Sequence, residues 1–306
     1  MPWAELVTLD LSRYDQAGDK EELVKQLDHA VRHVGFFHVK DFNISQEEIS
    51  PICSRSTDLE SGEYDGYRPA APGLGNGIKG NIQVYNIPKF DGYHKRKQPP
   101  VLADHIDEIE SSFSRKCHSE VVVKLLRLFA ILLELPDEDN SPTTTNTTDE
   151  ENTKVASIYT PGHTDLGTVT LLFRQPVAAL QILNSEGEWK WVRPQDSTIT
   201  INTCDALTAL TGRLIKSSFH RVHASPPVQA HVDWLGVLYS ARPNNHVLLN
   251  PITNSPLLNR LGLTQNVRQT QQQRRNRDVK VSNDGKFSYG EMKSEVLPGL
   301  EVKVYN

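Results

Sequence analysis

The feature that most constrains the fold is a series of short, apolar, strand-like runs between residues 157 and 243. Turn residues separate the runs, which read SIYTPGHTDLGTVTLLF, AALQIL, WKWV, STITINTCDALTALT, SSFHRV and HVDWLGVLYSARP. No regular helical segments alternate with them, whereas a parallel α/β sheet needs helical crossovers between its strands. The pattern therefore predicts a β-sandwich, a barrel or a jelly roll.

The residues before this β-rich region combine helical and strand patterns. Residues 21–34 carry apolar side chains at helical spacing, and the β-rich run GFFHVKDF follows directly. Residues 100–135 hold two further helical patterns, of which the second, VVVKLLRLFAILLEL, is apolar nearly all round and is predicted to be buried. We expect a helix that feeds a strand, followed later by two helices.

A low-complexity segment separates these helices from the β-rich region. Residues 137–154 are acidic, rich in threonine and nearly free of apolar side chains, so they are predicted to form a mobile surface segment. We expect a single domain over residues 1–306. Its N-terminal helical and strand portion spans 1–135, its jelly-roll core about 153–250, and its C-terminal extension 251–306.

Charge and cysteine content exclude several classes of partner and compartment. The net charge of −5 and the pI of about 6.1 provide no basic field for nucleic acid or an anionic membrane surface. The three cysteines form no CxxC pair and no even-numbered disulfide framework. Neither a signal peptide nor a membrane-spanning apolar run is recognisable. These observations predict a soluble cytoplasmic protein that binds neither nucleic acid nor membranes.

The stretch GHTDLG carries a candidate metal-binding pair, His163 and Asp165. On an extended backbone both side chains leave the same face, and imidazole with carboxylate suits a divalent transition metal. A third ligand is available in the later run SSFHRVHAS, at His220 or at His223. These two histidines have opposite strand parity, so only one can face the metal. Two histidines and one carboxylate form the open facial triad of non-haem Fe(II) oxygenases.

Several longer motifs extend this interpretation. The segments GHTDLGTVTLLFRQPVAALQILNSEGEWKWV, INTCDALTALTGRLIKSSFHRVH and QAHVDWLGVLYSARP, with LVTLDLS and YNIPK earlier, occur in the order and spacing of one family. Together they resemble the isopenicillin-N-synthase-like Fe(II)/2-oxoglutarate-dependent oxygenases, most closely the fungal branch. The resemblance implies a mainly β double-stranded β-helix, a cupin-like jelly roll, with flanking helices. It also implies Fe(II), 2-oxoglutarate, O2 and a small-molecule substrate.

The resemblance assigns individual site residues. It implies His163, Asp165 and His220 as the iron ligands, choosing His220 over His223 because the family's ligand is the histidine of HRV. The resemblance also implies Thr170 and Leu172 as substrate-binding residues that line the pocket, and Tyr85 and Asn86 are further candidate substrate contacts. Tyr85 and Asn86 lie in GNIQVYNIPKF, for which an edge strand ended by proline is the alternative interpretation. Cys204 is predicted to be a buried structural thiol.

Two departures from the family pattern affect the co-substrate. Where relatives carry Arg-x-Ser or Arg-Leu-Gly, this chain has Trp234 and Gly236 at the co-substrate positions. A tryptophan offers one N–H donor and no charge for the distal carboxylate that the arginine holds. Arg242 is about 26 Å further along an extended strand, whereas Lys190 and Arg193 remain candidate replacements. The threonine-rich segment also stands where relatives have a strand with a co-substrate tyrosine.

Three functions follow from these observations. The first is an Fe(II)- and 2-oxoglutarate-dependent dioxygenase that acts on an unactivated C–H bond of a small natural-product intermediate by hydroxylation, desaturation or ring formation. The second is an Fe(II) oxidase of the same family that uses no 2-oxoglutarate. The third is a non-catalytic scaffold whose co-substrate pocket is filled by Trp234. The presence of all three candidate ligands favours an enzyme.

Overall fold

The structure is a computed structural model that describes eleven parts of the chain. They are residues 1–44, 66–68, 84–86, 103–136, 144–147, 158–229, 232, 236–243, 247–264, 292–297 and 300–304. For residues 66–68, 84–86, 112, 144–147, 158–161, 292–297 and 300–304, only the backbone is described. Among the described residues, no helix combines the length and the apolar character needed to cross a bilayer.

The N-terminal portion contains the predicted helix followed by a strand. Helix α1 (Asp19–His33) buries Leu23, Leu27, Ala30 and Val31, which lie on one face because they are three or four residues apart. Strand β2 (Phe36–Lys40) follows after Gly35, which has a φ of +75°. The sharp turn between the two elements therefore depends on a residue that tolerates left-handed backbone.

The second helical region runs with little interruption from residue 106 to residue 132. It consists of α2 (Ile106–Glu108), two π-helical stretches (Ile109–Ser114 and Cys117–Val122) and α3 (Val123–Leu132). Helix α3 buries a face that includes Leu125 and Leu128, but Ile131 is 41% exposed. The prediction of burial nearly all round is thus wrong for one side of the helix, because α3 covers a sheet from outside.

Two sheets form the body of the protein. Besides β2, their strands are β1 (Thr8–Asp10), β5 (Thr144–Thr147), β6 (Ile158–His163), β7 (Val169–Phe173), β8 (Leu180–Leu183), β9 (Trp189–Trp191), β10 (Thr198–Thr203), β11 (His220–His223) and β12 (Leu238–Pro243). The six-stranded sheet has the order β1-β2-β10-β7-β12-β5, and the four-stranded sheet has the order β6-β11-β8-β9. All pairs within the two sheets are antiparallel except β1 with β2.

The chain crosses repeatedly between these sheets. From β6 to β12 it alternates between the four-stranded and the six-stranded sheet, apart from the hairpin formed by β8 and β9. This connectivity is that of a jelly roll, and the predicted fold class is confirmed. Two short helices follow strands of the sheets in the chain: α4 (Asp205–Leu210) comes after β10, and α5 (Pro256–Arg260) comes after β12. Two strand pairs, β3 (Gly66–Arg68) with β4 (Val84–Asn86) and β13 (Met292–Leu297) with β14 (Leu300–Val304), complete the described strands.

The six-stranded sheet has two chemically different faces. Its outer face packs in one apolar cluster with α1 and α3, and the strands contribute Val169, Leu171, Ile201 and Tyr239, all fully buried. The inner face meets the four-stranded sheet, since Phe36 packs in a second cluster with Leu180 and Ile182. Residues of β7, β10 and β12 on this inner face include the buried polar side chains Thr170, Asn202 and Ser240. A site between the sheets is therefore lined with hydrogen-bonding groups.

One strand lies within the segment that the sequence predicts to be mobile. Within the threonine-rich segment, β5 pairs antiparallel with β12, and Thr147 is opposite Ser240. The surface segment predicted to be mobile over residues 137–154 thus contains a four-residue edge strand, and its mobility stays a prediction. Threonine favours extended backbone, and an edge strand needs no large apolar side chains. The predicted domain boundaries stay a prediction.

Candidate metal centre

Two neighbouring strands bring the predicted histidine ligands together. His163 ends β6, His220 begins β11, and the two residues are direct partners across this strand pair. Their rings lie 4.3 Å apart between centroids. Asp165 is two residues beyond the end of β6, in a segment without regular secondary structure. The paired part of the strand therefore ends at His163, before it reaches Asp165.

The three side chains form a compact donor set. The Nε2 atoms of His163 and His220 lie 3.6 Å and 3.7 Å from Oδ1 of Asp165. All three donor atoms lie within 4.8 Å of one another. Donor atoms about 2.1 Å from one cation are at most about 4.2 Å apart, so the spacing here is close to that of a metal-bound site. The chemistry of the set fits a divalent transition metal with open positions.

The ring of His220 is held in the orientation that metal binding requires. Its Nδ1 lies 3.2 Å from the carbonyl oxygen of Ser218, and Phe36 contacts the ring edge-on at 5.3 Å. When Nδ1–H donates to that carbonyl, the lone pair of Nε2 faces Asp165. Burial, with a smaller contribution from His163, lowers the pKa of His220 to about 4, so the imidazole is neutral at pH 7.

His223 lies on the opposite face of β11. Its ring packs against Trp191 at 5.3 Å, and its Nδ1 lies 2.9 Å from the carbonyl oxygen of Ala224. The alternating burial of β11 agrees with this arrangement, because His220 and Val222 are buried while Arg221 and His223 are only partly buried. Only one of the two histidines faces Asp165.

Asp165 is ionised, and each oxygen of its carboxylate lies near polar side chains. Burial raises the pKa of Asp165, but His220, His163 and hydrogen bonds from Asn202 and Thr170 outweigh it and bring the pKa below its ordinary value. Asn202 Nδ2 donates to Oδ2 at 2.8 Å, which leaves Oδ1 directed at the two histidines. An ionised carboxylate beside neutral imidazole is the protonation state that binds a cation.

The start of α4 supports the segment that carries Asp165. The backbone N–H of Asp205 donates to the carbonyl of Asp165 at 2.9 Å, and Thr164 Oγ1 donates to Asp205 Oδ2 at 2.9 Å. Gly167 passes so close to β12 that a Cβ there would lie 2.5 Å from the carbonyl oxygen of Ala241. Sequence reasoning missed Asn202, a polar residue of strand β10, and Asp205, the first residue of helix α4.

The other predicted site residues divide into described and undescribed positions. Thr170 and Leu172 lie on the inner face of β7, and Thr170 Oγ1 is 3.4 Å from Ser240 Oγ. Gly236 is exposed just before β12, while Trp234 lies outside the described residues. The backbone of Tyr85 and Asn86 forms the end of β4, and their side chains lie outside the described parts.

The candidate replacements for the missing arginine have other roles. Lys190 forms an ion pair with Glu188 at 2.7 Å, and Arg193 lies 5.0 Å from the ring centre of Trp3. Arg242 is buried at the end of β12, and a Cβ on Gly167 would lie 3.3 Å from its Cγ. None of these contacts brings Lys190 or Arg193 to the metal centre.

Burial raises the pKa of Cys204 well above its usual value, which agrees with a structural thiol.

Comparison with known proteins agrees with this geometry. Residues 139–230 match the model of the 2OG-Fe(II) oxygenase superfamily, and residues 6–59 match the model described as non-haem dioxygenase in morphine synthesis N-terminal. The chain therefore contains a 2OG-Fe(II) oxygenase superfamily domain. It is an oxidoreductase of the Fe(II)/2-oxoglutarate-dependent dioxygenase class, for which iron, 2-oxoglutarate and O2 are the cofactor and co-substrates.

Fungal members of the superfamily are among its relatives. The 2-oxoglutarate-dependent dioxygenase frbH of Dothideomycetidae sp. is 26% identical over 81% of this chain and 85% of that protein. The 2-oxoglutarate-dependent dioxygenase iboH of Amanita muscaria is 37% identical over 27% of this chain and 41% of that protein. A Neurospora crassa protein crystallised in complex with alpha-KG and thymine has a TM-score of 0.71 at 16% identity, covering 90% of this chain and 97% of that one. This last likeness supports the fold.

The metal-free oxygenase is expected to lose stability as the pH falls from about 6.5 to about 4. Burial is the main reason that the pKa values of His38 and His220 are lowered from 6.5 to about 4. Between these values the unfolded chain binds more protons, so the free energy of unfolding decreases with falling pH. Each histidine accounts for about 2 kcal/mol at pH 5. Urea unfolding at pH 7 and pH 5 measures this loss of stability. The His38→Leu variant is expected to show about half of the loss. Equal stability at both pH values would contradict the burial of the two histidines.

Proposed function

We propose that this oxygenase oxidises an unactivated C–H bond of a small natural-product intermediate, by hydroxylation, desaturation or ring formation, with Fe(II) held by His163, Asp165 and His220. The observation that supports this most is the donor set, in which two imidazoles and one ionised carboxylate surround a common point. The relatives named as 2-oxoglutarate-dependent dioxygenases support the co-substrate, and the thymine complex of the Neurospora crassa protein supports a small-molecule substrate.

The chain's own contribution is to hold and orient this site. When bound, iron with 2-oxoglutarate and O2 supplies the oxidising power for the C–H bond. The three ligands come from one side and leave other metal positions for co-substrate and O2. Asn202 fixes which carboxylate oxygen faces the metal, and Ser218 fixes the tautomer of His220. Burial of Thr170 and Ser240 beside these ligands keeps bulk water from this side of the site.

Anaerobic titration tests the proposal directly. Adding 2-oxoglutarate to the Fe(II)-loaded protein is expected to produce a saturable metal-to-ligand charge-transfer band, because the 2-oxo acid chelates the metal through two adjacent oxygens. The Asp165→Asn variant is the control, since it keeps the size of the side chain and removes its charge. Iron that binds with no band at any 2-oxoglutarate concentration contradicts a 2-oxoglutarate-dependent function.

A second candidate function is an Fe(II) oxidase that takes electrons from its own substrate and uses no 2-oxoglutarate. One sequence feature favours it, namely Trp234 at the position where relatives carry the arginine for the distal carboxylate. The same titration separates the two functions. The oxidase binds Fe(II) through the three ligands but gives no band with 2-oxoglutarate.

A further inference from the structure

Strand registers define rows of side chains across the inner face of the six-stranded sheet, because directly opposite residues of antiparallel strands share a face. The row nearest the metal centre, called the metal row, consists of Phe36, Asn202, Thr170 and Ser240. All four residues are buried. Asn202 bonds to Asp165 and Phe36 contacts His220, so this row touches the candidate iron ligands directly.

The next row, called the second row, consists of His38, Thr200, Leu172 and Leu238. It lies two residues along each strand from the metal row, a distance of about 6.6 Å. Strands β10, β7 and β12 each have neighbours on both sides, yet Thr200, Leu172 and Leu238 are only partly buried. Side chains in the middle of a sheet retain accessible surface only when space is open above them. The second row therefore keeps accessible surface between the two sheets at Thr200 and Leu238, while Leu172 also packs against the apolar cluster of Phe36, Leu180, Ile182 and Val192.

His38 and Thr200 supply the polar groups of this row. His38 is 4% exposed, and its Nδ1 lies 3.3 Å from Thr200 Oγ1. In the described part of the chain, neither side chain makes another hydrogen bond. Burial lowers the pKa of His38 to about 4, so the ring carries one N–H at pH 7.

In either tautomer of the His38 ring, the pair of His38 and Thr200 leaves one hydrogen-bond donor available for a ligand. If Nδ1 accepts the hydroxyl hydrogen of Thr200, the hydrogen on Nε2 of His38 is the available donor. If Nδ1–H donates to Thr200, the hydroxyl hydrogen of Thr200 is available instead. A buried donor of this kind is satisfied when an acceptor occupies the adjoining space.

We propose that His38 and Thr200 bind the distal carboxylate of 2-oxoglutarate, in place of the arginine that Trp234 replaces. This inference rests on the proposed function. The 2-oxo acid end of the molecule belongs at the metal, and its two terminal carbons are separated by four C–C bonds of about 1.5 Å each, roughly 5 Å in total span. That span is close to the separation of the metal row from the second row. Leu172, directly opposite Thr200, would contact the methylene groups of the co-substrate in this arrangement.

The test compares two 2-oxo acids of equal chain length on the anaerobic Fe(II)-loaded protein. 2-Oxopentanoate chelates iron as 2-oxoglutarate does but has no distal carboxylate. The charge-transfer absorbance gives both dissociation constants. Because the pair supplies one donor, whichever of His38→Leu and Thr200→Val removes that donor is expected to weaken 2-oxoglutarate binding about tenfold to a hundredfold, the range for losing a hydrogen bond to a charged group. The other variant, which removes only the partner that orients the donor, is expected to weaken it less. The affinity of both variants for 2-oxopentanoate is expected to stay within about twofold of the original protein.

A matched control comes from the same strand and the same face. Thr198 lies one row further, opposite Lys40, and its hydroxyl already donates to the carbonyl of Gln195 at 2.8 Å. Thr198→Val is expected to leave both affinities unchanged, and Thr200→Ser, which keeps the hydroxyl, is expected to restore 2-oxoglutarate binding. Thermal unfolding of each variant verifies that it folds.

The outcomes separate the two claims. Tight 2-oxoglutarate binding that persists in both His38→Leu and Thr200→Val overturns the subsite and leaves the proposed function intact. Equal loss for both 2-oxo acids also overturns it, because the pair then acts on the structure of the site as a whole. A protein that binds iron but gives no band with either 2-oxo acid overturns the proposed function itself.

Discussion

Replacing His220 by alanine is expected to abolish Fe(II) binding, whereas replacing His223 by alanine is expected to leave it intact. His220 is one of three donors, its Nε2 lies 3.7 Å from Asp165 Oδ1, and Ser218 sets its tautomer. His223 faces the other side of the same strand, against Trp191. Loss of a supporting contact alone costs about 10-fold to 100-fold in metal affinity, so loss of a donor costs at least about 100-fold.

Anaerobic titration with Fe(II), or with Co(II) as a spectroscopic substitute, measures this difference. The two variants are well matched, because both truncate a histidine of the four-residue strand β11. Stability is measured in parallel, since His220 also packs against Phe36. The assignment is wrong if His223→Ala loses the metal while His220→Ala keeps it.

The second large effect concerns Gly35, between α1 and β2. Gly35 has a φ of +75°, and a Cβ there would overlap the carbonyl oxygen of Lys216 and lie 2.9 Å from Ser218 Oγ. Gly35→Ala is therefore expected to reduce the free energy of unfolding by about 3 kcal/mol or more, combining left-handed strain with a backbone clash. Because Ser218 lies beside Gly35 and also contacts His220 Nδ1, the variant is also expected to weaken metal binding.

Gly18 provides the matched control for this variant. Its φ is +83°, but a Cβ there would meet nothing within 4 Å. Gly18→Ala carries the strain without the clash and is expected to cost only about 1–2 kcal/mol. Urea unfolding of both variants isolates the contribution of the close approach. Equal destabilisation by the two substitutions would mean that the turn at Gly35 relaxes away from Lys216.

Much of the fold was predictable because it follows from local patterns. The helix that feeds β2 repeats its apolar residues every three to four positions, and the strands of the jelly roll are short apolar runs bounded by turns. Strand β5 was missed because four polar residues carry no apolar signal, and their pairing with β12 depends on a partner about 95 residues later. The exposed side of α3 was missed because Ile131 is apolar in sequence and exposed in the fold.

The candidate site was predictable in part for a related reason. His163 and Asp165 stand close in sequence, and parity limited the third ligand to one of two histidines. The contacts of Asn202 and Asp205 with this site depend on the registers of strands far apart in the chain, which a single sequence does not give. The pairing of His38 with Thr200 has the same origin, since it joins residues 162 positions apart.

The direct pairing of His163 with His220 ties iron binding to the way the four-stranded sheet assembles. Side chains alternate along a strand, so a slip of β11 by one residue would turn His220 outward and present Arg221 to Asp165 instead. The pairing of β11 with β6 already shifts twice after His220, at Val222 and at His223. Only the native register brings both imidazoles to one cation. A metal ion that bound the correctly paired strands and none of the slipped forms would therefore favour this register during folding.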